Sequence, residues 1–171
     1  MPPPVFGVFT GKNKHLISLQ QPSNYSLLFH YLLITIMELY QNKFVKITYD
    51  QEARICIGNW TEETSTATAD DFKEWNQRLV EKIEQYKPMG FLANTLNYKF
   101  IITPDLQEWS ATNVFGRFAK AGVIRIALTV PEDFYSQVAL EQFVDEYEGR
   151  RIKNRYFSDL GEAKTWLTSL H

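Results

Sequence analysis

The chain has 171 residues, 44% of them hydrophobic and 22% charged, the balance of a single ordinary globular domain. Its formal net charge of -2 supplies no electrostatic reason to expect nucleic acid or an anionic membrane surface as partner. The single cysteine, Cys56, excludes an internal disulfide framework and thiolate clusters for zinc or iron–sulfur.

Three histidines are present, His15, His30 and His171, so residues 37–170 contain no imidazole. Ser-His-Asp and Cys-His arrangements and the usual zinc sites are thereby excluded from that stretch, and no cofactor is expected.

Residues 1–36 differ in character from the rest of the chain. They carry Lys12 and Lys14 but none of the 20 acidic side chains. Pro2, Pro3 and Pro4 open the stretch, and an uncharged apolar run at residues 27–36 closes it. That run is too short to span a membrane, which needs roughly 20 residues. The reading adopted is a poorly ordered or spurious N-terminal extension, with Met37 as the start of the domain. A secretory signal or anchor, with the lysines as its charged region, and a functional N-terminal helix remain as alternatives. Against a signal, residues 38–41 offer no small-residue cleavage site.

From residue 37 onward the pattern is that of an α/β domain. Residues 44–49 and 53–60 alternate across the short polar turn 50–52, which predicts an antiparallel hairpin. Residues 61–68 read as a Thr-, Ser- and Glu-rich loop. Phe72, Trp75, Leu79, Ile83 and Tyr86 then recur at helical spacing, with Thr68 and Asp71 as a capping box and Pro88 as the stop. The apolar run 90–95 predicts a buried strand. A connection over 96–102 leads to a helix with Thr103 as N-cap, Pro104 at its first position and Gly122 after its end.

Residues 123–130 read as the longest apolar strand and are expected at the sheet centre. A third helix is expected to bury Val138 or Ala139, Leu140, Phe143, Val144 and Tyr147. Residues 152–157 read as an exposed last strand. Asp159 and Glu162 predict a capping box for a final helix burying Ala163, Trp166, Leu167 and Leu170. The expected order is β-β-α-β-α-β-α-β-α: an N-terminal antiparallel hairpin in a mixed, mainly parallel sheet.

Catalytic equipment is scarce. No Gly-rich phosphate loop is present, and the adjacent carboxylates Asp70-Asp71, Glu62-Glu63 and Asp145-Glu146 read as solvated charge. Cys56 reads as a small packing residue. The basic cluster Arg150, Arg151, Lys153 and Arg155 follows Asp145, Glu146 and Glu148, so local charge largely cancels. The candidate site is residues 94–109. Asn94, Thr95, Asn97 and Tyr98 precede a helix N-terminus whose free amides suit an anion or a phosphorylated hydroxyl, and ordinary turn and capping chemistry is the competing explanation. Residues 98–102, including Phe100, are long and apolar for a surface connection. They suggest a docked flap, a pocket wall or a self-association surface, with Trp109 nearby.

The element order and the ending Arg155-Tyr156-Phe157-Ser158-Asp159-Leu160-Gly161-Glu162-Ala163-Lys164-Thr165-Trp166-Leu167 together resemble the STAS superfamily, and within it the SpoIIAA-like group, over residues 37–171. The resemblance implies a non-enzymatic, cytoplasmic regulatory or binding module rather than an enzyme. Its partner would be a protein or a small apolar molecule near residues 94–109, without nucleic acid or a membrane span, and with a homodimer in view. In anti-sigma-factor antagonists of that superfamily a serine after the third strand is phosphorylated by a partner kinase. Here Asn94-Thr95 and the apolar connection stand at that place, so Thr95 or Thr103 would be the acceptor in the alternative reading of a phosphorylation-regulated antagonist. Some related domains are thought to bind lipids or other small apolar molecules. An uncharacterised hydrolase ranks third.

Overall fold

A computed structural model describes residues 36–131 and 152–169. Six strands form one mixed sheet in sequential order: β1 (Ile36–Gln41), β2 (Val45–Asp50), β3 (Ile55–Trp60), β4 (Gly90–Asn94), β5 (Arg125–Thr129) and β6 (Lys153–Phe157). β1, β2 and β3 pair antiparallel, and β3 through β6 run parallel. The expected hairpin is therefore the second half of a three-stranded meander.

β1 escapes a reading based on alternation because it contains an irregularity. Its register on β2 shifts between Glu38 and Tyr40, so Leu39 and Tyr40 are both half-buried although adjacent. Its turn into β2 is set by Asn42, whose side-chain oxygen accepts from the backbone amides of Phe44 and Val45, each at 2.9 Å.

β5 is the fifth strand of six, so the longest apolar strand of the sequence reading does not mark the centre, which β3 and β4 occupy. β5 reads as strongly apolar because it is flanked on both edges and covered on both faces. β6 is the exposed edge expected, with Lys153, Asn154 and Arg155 open to solvent and Phe157 buried. The third expected helix, Leu170, Arg150 and Arg151 lie outside the described residues.

Helix α1 (Ala69–Tyr86) has the expected reciprocal cap: the Asp71 amide donates to the Thr68 hydroxyl, and the Thr68 amide donates to the Asp71 carboxylate at 2.8 Å. Helix α2 (Pro104–Ser110) runs through one π-helical turn (Ala111–Phe115) into α3 (Gly116–Ala121), which ends at Gly122 with φ 100. Thr103 occupies the N-cap position but its hydroxyl makes no capping bond; it donates to the Asp105 carboxylate. Helix α4 (Leu160–Thr168) is capped by Asp159, which accepts from the Glu162 amide at 2.9 Å.

The helices form two layers around the sheet. α4 covers one face, packing Ala163 and Leu167 on Ile55, Leu92, Ala127 and Phe157. α1 and the α2–α3 helix cover the other, over a larger core that includes Trp75, Phe91 and Phe118. Strand alternation sorts the residues: Ile55 and Leu92 point to α4, whereas Cys56, Phe91 and Ala93 point to α1. Trp75 and Phe118 are fully buried, and truncating either to alanine costs about 3–5 kcal/mol by loss of transfer energy and creation of a void.

Candidate functional site

The carboxyl ends of β3, β4 and β5 lie side by side, with Asn59, Asn94 and Thr129 in register across the three strands. Asn94 donates its side-chain amide to Asn59 at 3.0 Å and accepts from the Thr129 hydroxyl at 3.1 Å. This row continues the alternation of Ile57, Leu92 and Ala127, so it lies on the α4 face. Trp60 and Ala93, one residue removed, lie on the opposite face.

That opposite face holds a cavity of about 360 Å³. Its floor is the sheet, through Trp60, Phe91, Ala93, Ile126 and Leu128; one wall is α1, through Phe72, Trp75, Asn76 and Leu79. The other wall is the α2–α3 helix, through Gln107, Ser110, Val114, Phe115 and Phe118, and the connection contributes Thr95, Tyr98 and Ile102. The size falls in the range of small-molecule sites, roughly 300–1,000 Å³. Among the described residues, none that lines it carries a charge.

Aromatic contacts hold the roof in place. Phe100 stacks on Phe72 with ring centroids 5.5 Å apart and planes at 19°, and Trp109 meets the same Phe72 at 6.2 Å. Tyr98 stands edge-on to Trp60 at 6.1 Å and to Trp75 at 6.4 Å. The connection is also tied by its backbone: the Lys99 amide donates to the hydroxyl of Thr64 at 2.9 Å, and that hydroxyl donates to the Thr61 carbonyl at 2.8 Å. Thr64 is fully buried in a short 3-10 helix (Glu62–Thr66), within the stretch that composition marks as loop.

The polar groups of the wall fall into two sets. Ser110 donates to the Leu106 carbonyl at 2.7 Å, Asn76 donates to the Phe72 carbonyl at 2.9 Å, and Thr95 donates to the Thr129 carbonyl. By contrast, the indole nitrogen of Trp60 and the hydroxyl of Tyr98 are shut from solvent without a hydrogen-bond partner among the described residues. Burial pushes the Tyr98 phenol up from its ordinary value, so at neutral pH it is a protonated donor. An orphaned buried donor is uncommon in a folded protein and marks a place where a partner is expected.

The sequence-predicted residues thus separate. Thr95 and Tyr98 line the cavity, while Phe100 and Trp109 brace its roof and wall through Phe72. Asn94 faces the α4 layer, and Asn97 and Thr103 are exposed outside the lining. Trp60, Phe72 and Trp75 enter the site from β3 and α1, where periodicity marks them only as core. No sequence signal marks the π-helical turn either. The Gly116 amide donates to the Ala111 carbonyl, five residues back, and the turn presents Val114 and Phe115 to the cavity. Such turns occur frequently at functional sites.

Cys56 lies beneath this core with its thiol pushed up to about 12, chiefly by burial and against a backbone hydrogen bond from Ile57. A protonated buried thiol is a poor nucleophile. Among the described residues no group of three or more His, Cys, Asp or Glu side chains is placed to hold a metal ion. Among them, too, no helix is long and apolar enough to cross a membrane. No protein-family model, no curated protein and no solved structure matches this chain.

Proposed function

We propose that the chain is a non-enzymatic, STAS-like binding domain acting in the cytoplasm, and that it takes a small apolar molecule into the cavity between the sheet, α1 and the α2–α3 helix. The observation that supports this reading is the cavity itself, about 360 Å³ and lined, among the described residues, without charge beneath residues 98–102. An apolar ligand gains roughly 25 cal/mol for each Å² of apolar surface it removes from water, and these walls offer it aromatic and aliphatic contacts.

The hydroxyls considered for phosphorylation favour binding over a switch. Thr95 is half-buried and bonded to the Thr129 carbonyl. Thr103 is exposed but bonded to the Asp105 carboxylate, whose charge a phosphate would oppose. One observation favours a second reading. Ile101, next to the lining residue Ile102, is 82% exposed, and Phe115 at the opposite wall is 46% exposed. A protein partner, including a second copy of the chain, would cover such side chains.

Native mass spectrometry of the protein purified from its own cell, with thermal shift across a panel of medium-chain lipids and apolar small molecules, tests the first reading. A co-purified small molecule or a saturable rise in melting temperature is expected. Absence of both, with a stable complex to a protein instead, transfers the function to the second reading.

A further inference from the structure

We infer that the ligand of this cavity is an uncharged, largely apolar molecule bearing a hydroxyl group, and that the side-chain oxygen of Asn76 accepts its hydrogen. The inference rests on the proposed reading of the cavity as a ligand site and adds the chemistry of what enters it.

Asn76 stands where the packing of α1 calls for an apolar side chain. It lies between Phe72 and Leu79 on the helix face that lines the cavity, and it is only 9% exposed. Asparagine is a poor helix former and costly to bury, so neither the helix nor the core accounts for it. Its amide nitrogen donates to the Phe72 carbonyl one turn back, at 2.9 Å. That bond fixes which way the amide is turned, because only its nitrogen can face a carbonyl oxygen. The Asn76 oxygen accepts from no described group, yet it is not sealed in the packing as the Trp60 nitrogen and the Tyr98 hydroxyl are. Ser110 and Thr95 have likewise spent their hydrogens on backbone carbonyls, those of Leu106 and Thr129. The polar oxygens of this wall are therefore left as acceptors, and the ligand must bring the donor.

Charge selects among donors. An ammonium group would enter a space whose described lining contains no Asp or Glu, and burying a cation without a countercharge is strongly unfavourable. A carboxylate has no hydrogen to give at neutral pH and would set one acceptor against another. An alcohol or phenol donates one hydrogen without either penalty. Volume sets the size: 360 Å³ corresponds to about a dozen water molecules at ~30 Å³ each, which suits a molecule of roughly ten to fifteen non-hydrogen atoms.

The test titrates the full chain with probes matched in length, 1-nonanol, octyl methyl ether, decane and nonylammonium, and reads the change in tryptophan emission. The ether keeps the oxygen of the alcohol but cannot donate. The same titrations are run on Asn76→Leu, which keeps the size of the side chain and removes its oxygen, and on Asn76→Ala; circular dichroism checks their folding. The expected result is that 1-nonanol binds about three- to tenfold more tightly than the ether. In Asn76→Leu this preference should fall below about twofold, with decane bound at least as tightly as before. Equal or weaker binding of the alcohol by the unaltered chain overturns the hydroxyl inference but leaves an apolar site standing. A preference that survives in both variants overturns the assignment to Asn76. Tighter binding of nonylammonium than of the alcohol overturns the uncharged ligand. Saturable binding of none of the four overturns the cavity reading as well. If Asn76→Leu fails to fold, the ratio of alcohol to ether binding in Asn76→Ala decides alone.

Discussion

The Asn94 side chain donates to that of Asn59 at 3.0 Å, across two parallel strands in register, and this bond turns Asn94 away from the cavity that its neighbours Ala93 and Thr95 line. With the Thr129 hydroxyl as a second partner, Asn94 ties together the carboxyl ends of the three strands that carry the cavity floor. Its role is to hold the frame, not to touch a ligand.

Asn94→Ala should therefore lower stability by about 1–3 kcal/mol, because it removes the bond to Asn59 and leaves the fully buried Thr129 hydroxyl only the longer contact to the Ala93 carbonyl, at 3.5 Å. Denaturant unfolding measures the loss. Ligand titration of the folded variant should give an affinity within about twofold of the unaltered chain, and a larger change would mean that Asn94 reaches the cavity after all.

Gly58 sits under the Trp60 ring. A methyl group there would meet two carbons of that ring at 2.8 Å and Phe91 at 3.4 Å. Gly58→Ala is expected to push the indole out of position, lowering stability by about 1–3 kcal/mol and shifting tryptophan emission. Unchanged emission together with unchanged stability would show that the ring has room to retreat.

Thr64 anchors the cavity roof from a distance of 35 residues along the chain. Thr64→Val keeps the shape and removes the oxygen that accepts from Lys99. We expect a loss of about 1–3 kcal/mol and faster amide exchange across residues 96–102, read by hydrogen–deuterium exchange mass spectrometry. Exchange that stays slow there would place the roof's restraint in the Phe100–Phe72 stack.

Tyr98→Phe removes a buried hydroxyl that has no partner. Without ligand, the variant should be as stable as the unaltered chain or up to about 1 kcal/mol more stable, since no bond is lost and less polar surface is desolvated. A destabilisation above about 1 kcal/mol in thermal or denaturant unfolding would reveal a bond that the hydroxyl makes in solution.

Alkaline pH acts through Cys56. Its thiol is raised in the folded chain from 9.0 to about 12, so the native state keeps a proton that the unfolded state releases. The contribution is complete below about pH 9 and is lost as pH rises toward 12. Over that window the slope of stability against pH should be more negative by up to about 1.4 kcal/mol per pH unit than in Cys56→Ala. Equal slopes for the two proteins between pH 9 and 10.5 would show that the thiol titrates normally; thiol-reactive dye should likewise label Cys56 only after unfolding.

Local patterns make much of the fold legible. The Thr68–Asp71 cap, the apolar face of α1, the stop at Pro88 and Gly122, and the alternation of β2 and β3 are all set by residues within four positions of one another. β1 stays hidden because its register shift destroys alternation, and β5 reads as too central because apolar length reports burial on two faces, not position in the sheet.

For the site, sequence alone marked residues 94–109 as chemically suggestive and left residues 37–170 without an imidazole. Tertiary structure alone decided which of those residues meet. Strand alternation sent Asn94 to one face and Trp60 to the other, and the Lys99–Thr64 bond fixed the roof. The two unpartnered donors, Trp60 and Tyr98, belong to segments joined only by packing. Helical and strand periodicity encode which way a side chain points within its own element, but a hydrogen bond that is missing is a property of everything that surrounds it.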